Sequence, residues 1–100
     1  MAEQDDNPLN KAWGLSQLGV ALRVMGKLDE AVEQHRQAFV LLESLAEPQW
    51  EIDFLPAYAL TLRVAGRHDL AKAMYERTLE LAHRLGRPYE EKLAREALTA

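Results

Sequence analysis

The chain has no cysteine, so any chemistry must come from its histidines, carboxylates, hydroxyls or arginines. The histidines are His35, His68 and His83. They form no His-x-x-x-His pair and no Glu-x-x-His with a second such pair, the spacings by which helices aim ligands at one metal ion. His35 falls on an apolar helical stripe, where Tyr75 stands 40 residues later. Its ring is expected to be packed, with one nitrogen satisfied, rather than to bind a ligand. His68 falls in a turn between helices, and His83 lies near a helix C-terminus, where a cation complements the dipole. Glu90 and Glu91 share the first turn of a helix, which suits the positive end of its dipole better than acid–base work. The five glycines, at 14, 19, 26, 66 and 86, are isolated, so no Gly-rich loop cradles a phosphate. No catalytic residue, metal or other cofactor is expected. What remains is a pair of arginines, Arg23 and Arg63, each inside the triplet Leu-Arg-Val. Two guanidiniums side by side would recognise carboxylates.

What would bring them together is an internal repeat. Proline falls at 8, 48 and 88, a spacing of 40. The same offset pairs Leu22-Arg23-Val24 with Leu62-Arg63-Val64, Gly26 with Gly66, Asp29 with Asp69, and Ala31 with Ala71. Leu15 pairs with Leu55 and Leu45 with Leu85. Two full units follow, 8–47 and 48–87, with the start of a third at 88–100. Residues 1–7 are expected to be a disordered tail.

Each unit reads as two helices. Asn7 suits an N-cap and Pro8 the first helical position. Leu15, Leu18, Leu22 and Met25 recur at helical spacing, and Gly26 supplies a left-handed stop. Asp29 is expected to cap the next helix, with Glu30 in its first turn and a stripe of Ala31, His35, Ala38, Leu42 and Leu45. The second unit repeats this plan with Leu55, Tyr58 and Leu62, then Gly66, then a helix capped by Asp69 that carries Ala71, Met74, Tyr75, Leu79, Ala82 and Leu85. Gly86 closes that helix, and Pro88 opens a fifth. The alternating stretch from Trp50 to Phe54 is read as helix. Pro56 lies inside the third helix, where it kinks the helix, leaves 48–55 as a separate turn, or is simply tolerated early in a helix; one kinked helix is favoured, because Trp50 and Phe54 lie on one face just before it. If the offset holds, Leu22 and Leu62 occupy equivalent environments.

These residues resemble the tetratricopeptide repeat. The first unit supplies its pattern as Leu15, Leu18-Gly19, Leu22, Gly26, Asp29-Glu30-Ala31, His35 and Ala38. The second supplies Leu55, Tyr58-Ala59, Leu62, Gly66, Asp69-Leu70-Ala71, Tyr75 and Thr78. The 40-residue unit exceeds the usual ~34 and is similar to the longer repeats of bacterial regulators and kinesin light chain. The closing proline is displaced to Pro48 and Pro88, and Thr78 replaces the last alanine. The resemblance implies an all-α solenoid of two helical hairpins and a C-terminal capping helix, five helices in all. Gly19, Ala59, Ala31 and Ala71 would then let paired helices approach. It also implies a concave groove lined by the first helix of each unit. Carried over by position, that groove holds Trp13, Ser16, Gln17, Val20, Arg23 and Val24, then Asp53, Pro56, Ala57, Leu60, Arg63 and Val64. The places of the chaperone-tail clamp hold Ser16, Val20, Ala57, Leu93 and Ala97, none basic or an amide, so that ligand is not expected. Trp50, Ile52 and Phe54 form either a secondary docking surface or the filling of the seam between units.

Net charge limits the partners. With 12 basic against 16 acidic residues, the chain is poorly suited to gripping a nucleic acid. Its longest apolar run, Ala38 to Leu42, is far too short for a bilayer. The expectation is a soluble, cytoplasmic, noncatalytic scaffold module that binds a protein or peptide with acidic and apolar residues, as one segment of a larger regulator. The alternative is a self-association module that stacks repeats into a homo-oligomer. If Arg23 and Arg63 instead serve their own helices, each meets the last carbonyls and a nearby acid.

Overall fold

A computed structural model describes residues 7–100. The expected tail lies outside them except for Asn7, whose side-chain oxygen accepts the Leu9 N–H at 2.9 Å and caps α1. The helices are α1 (Pro8–Val24), α2 (Leu28–Leu45), α3 (Pro48–Val64), α4 (His68–Leu85) and α5 (Pro88–Thr99). No strand occurs among the described residues, and 50–54 is helical. The helix α3 runs unbroken through Pro56, so 48–55 is not a separate turn.

The turns repeat with the sequence. Gly26 has φ +82° and Gly66 φ +81°, a region that favours glycine because a Cβ would crowd the backbone. At the first turn Gly26 N–H donates to Arg23 O and Lys27 N–H to Leu22 O. Gly66 to Arg63 and Arg67 to Leu62 repeat both bonds. This pair of bonds satisfies the carbonyls that a helix end leaves free. The next helix begins so soon that Lys27 and Arg67, not Asp29 and Asp69, take its N-cap position. Both aspartates fall in the first turn, where the dipole still favours them.

Helix α1 packs on α2, α3 on α4, and α5 on α4. The helix α3 also meets α1, α2 and α5, whereas the backbones of α1 and α5 do not meet. The resulting body measures 50 × 32 × 18 Å. Its core is divided. Ala12, Ala38, Leu42 and Phe54 join α1, α2 and α3. Val32, Ala59, Leu62, Ala71, Tyr75 and Ala94 join α2 to α5. The expected α1 stripe is corrected. Ala12, Ser16 and Gly19 are its buried residues, while Leu18 and Met25 are exposed. Small residues win that face because α2 comes close. A Cβ on Gly19 would lie 2.7 Å from the His35 ring. The expected equivalence of Leu22 and Leu62 is not met: Leu62 is fully buried and Leu22 only partly, so the 40-residue offset does not by itself place a groove.

Candidate functional site

Arg23 and Arg63 lie in the last turns of α1 and α3, the same place in each helix. Both line one open pocket of about 500 Å³. Pro56, Ala57 and Leu60 of α3 supply its apolar wall, with Tyr75 of α4 beside them. Leu93, Glu96 and Ala97 close the α5 side. The Arg63 guanidinium carbon stands 5.4 Å from the Tyr75 ring centroid, a cation–π placement. Arg23 lies near the ring at the matching position, His35. That imidazole is pushed down to about 4, first by burial and second by the Arg23 charge. The His35 ring is 2 % exposed, its Nε2 is 2.9 Å from Thr61 Oγ1, and it stacks on Tyr58. It is thus a core ring with a satisfied nitrogen, as its position on the stripe implies.

Five of the eight arginines are neutralised within the fold. Arg36, Arg67, Arg77, Arg87 and Arg95 each hold a carboxylate. Three of those pairs cross between helical hairpins or helices: Arg67 with Asp29, Arg77 with Glu51, and Arg87 with Asp53. Among the described residues Arg23, Arg63 and Arg84 make no ion pair; of these three only Arg23 and Arg63 line the pocket, and the Arg23 Nε is buried without a hydrogen-bond partner. The reading in which each arginine pairs with a nearby acid is therefore not met. Unpaired guanidiniums over an apolar floor can accept an anionic group that carries an apolar neighbour.

The remaining expected residues fall into distinct places. Leu60 lines the pocket with the arginines, as do Pro56 and Ala57. Val20 is half-buried, and Gln17, Val24 and Val64 are exposed; none of the four lines that pocket. Trp13 is 43 % exposed and lays its ring 4.7 Å from that of Phe54. Phe54 itself is 3 % exposed and belongs to the core, so it is not part of a surface. Ile52 is likewise buried, and of this trio only Trp50 reaches solvent. The aromatic residues near the junction fill the seam because α3 must pack on both α1 and α2.

The contributions of Tyr75 and Glu96 to the pocket escaped sequence reasoning. The offset of 40 held the signal for Glu96, since it stands in register with Pro56 and Ser16. No protein-family model, curated protein or solved structure gives a significant match to this chain. No helix among the described residues is long and apolar enough to cross a membrane. Those residues also contain no group of three or more side chains placed to hold a metal ion.

Proposed function

We propose that the chain is a tetratricopeptide-like solenoid that binds a segment of another protein, without catalysis, in the groove between α1, α3 and α5. In this reading α5 caps the solenoid, since it buries Ala94 while Lys92, Arg95 and Glu96 face water. The observation that carries the proposal is the placement of Arg23 and Arg63, both without a carboxylate partner among the described residues, in one apolar-walled pocket. The occupant brings an acidic and an apolar side chain. A charge-assisted hydrogen bond contributes about 1.5–3 kcal/mol, so loss of these donors is a matter of tenfold or more in affinity. Peptides enriched from a displayed library on the native protein should bind Arg23→Glu/Arg63→Glu at least about tenfold more weakly, with helical circular dichroism retained. Equal binding to both proteins overturns the groove.

A second reading, self-association, draws on apolar residues exposed outside that groove. Leu18, Met25 and Val40 are exposed on α1, its cap and α2. Leu15, Val40 and Leu41 border a shallow hollow there with Lys11, Arg36 and Gln37. A monomer by sedimentation equilibrium at the highest accessible concentration rules this reading out.

A further inference from the structure

The groove contains one charge that the acidic–apolar occupant does not use. Glu96 lies on α5, exposed, and lines the same pocket as Arg23 and Arg63. Its helix neighbours are occupied, since Glu90 holds Arg87 and Glu91 holds Arg95. Among the described residues Glu96 forms no ion pair, and it does not close on either pocket arginine. Two unpaired cations and an unpaired anion thus face one cavity without neutralising one another. An occupant carrying acids alone would satisfy the arginines but meet Glu96 as a like charge in a protein whose net charge is already -4. Like-charge contacts penalise wrong partners, and complementary ones set register.

Resting on the groove reading, we propose that this pocket selects a peptide with charges of both signs in fixed order. An acidic side chain sits against Arg23 and Arg63. An apolar side chain covers Leu60 and Leu93. A basic side chain meets Glu96 on the α5 side. Glu96 is then a specificity-determining residue: it rejects purely acidic segments and fixes the direction in which the peptide lies.

The test uses a displayed library of random dodecapeptides selected against three forms of the full chain: native, Glu96→Lys, and Arg23→Gln/Arg63→Gln. Native protein should enrich an acidic and a basic residue at constant separation around an apolar one. Glu96→Lys should lose the basic position and keep the acidic one, while the arginine variant should do the reverse. A synthetic peptide from the native selection should lose about tenfold on Glu96→Lys, and its own basic-to-Glu variant should recover that loss. Enrichment of acidic and apolar residues alone, unchanged by Glu96→Lys, overturns this inference and leaves the groove intact. If nothing is enriched, or if the acidic position survives loss of both arginines, the groove falls and the inference with it.

Discussion

The first and second hairpins share their turns but not their interiors. Leu22 and Leu62 accept the same backbone bond, from Lys27 and Arg67 at 2.9 and 2.8 Å. Yet Leu62 is fully buried among Val32, Ala59, Ala71, Tyr75 and Ala94, while Leu22 is only half-buried. Position 32 explains the gap. Val32 of α2 covers Leu62 from the preceding hairpin, and no described helix precedes α1 to cover Leu22. The interior rings differ in a similar way. Tyr75 lies under a guanidinium, whereas His35 is locked between Gly19, Tyr58 and Thr61. The backbone turn is a property of the unit. The side-chain environment is a property of its neighbours.

Truncating the two leucines tests that contrast most strongly. Leu62→Ala removes a side chain from a closed core and should cost about 2–5 kcal/mol. Leu22→Ala removes one that water already reaches and should cost less than half as much. Urea unfolding of both variants gives the ratio. Equal costs would mean that the hairpins are energetically equivalent and that neighbours matter little.

Acid should then expose the difference between the two rings. Folded His35 titrates near 4 because burial, and secondly Arg23, disfavour its cation. In the unfolded chain an imidazole titrates near 6.5. Above about pH 6.5 both states are neutral, and below that only the unfolded chain gains the proton until the pH reaches about 4. Stability is therefore full above about pH 6.5 and falls with pH, by about 2 kcal/mol between pH 7 and pH 5. Glu33 is held down to about 2 by hydrogen bonds from Arg36 and Gln37, so its contribution fades only in the more acidic range below the ordinary carboxylate value. His35→Gln should flatten the slope between pH 7 and pH 5. A slope that persists in that variant assigns the acid sensitivity elsewhere.

Turns and helix number were legible because single residues announce them: a proline opens α1, α3 and α5, and a left-handed glycine follows α1, α3 and α4. The inward face of α1 was not. Leucines at 15, 18 and 22 mark a stripe by hydrophobicity, but closeness to α2 selects the small residues Ala12, Ser16 and Gly19 instead. Helix caps failed for a related reason. Asp29 has the right chemistry for an N-cap, but the tight turn at Gly26 starts α2 two residues earlier and frees Asp29 to reach Arg67 across 38 residues. At the candidate site, the repeat placed Arg23, Leu60 and Arg63 in one pocket. It did not reveal that both arginines lack an acid, because ion pairing depends on which side chains arrive from other helices.

The smallest contrast lies at the ends of α2 and α4. Ala46 has φ +54° and its equivalent, Gly86, has φ +70°, so both chains turn through the left-handed region. A Cβ makes that conformation cost about 1–2 kcal/mol, whereas glycine adopts it freely. Ala46→Gly relieves the strain but also loosens the unfolded chain, which offsets about 0.4–1 kcal/mol of the gain. The net effect should be stabilisation by about 0.5–1 kcal/mol. Gly86→Ala should cost a similar amount, because no neighbouring atom crowds the added methyl and only the backbone conformation opposes it. Both shifts are measurable as changes in the urea midpoint at constant slope. A stabilising Gly86→Ala, or a destabilising Ala46→Gly, would show that these two turns do not share a backbone, and the match between hairpins would then stop at Gly26 and Gly66.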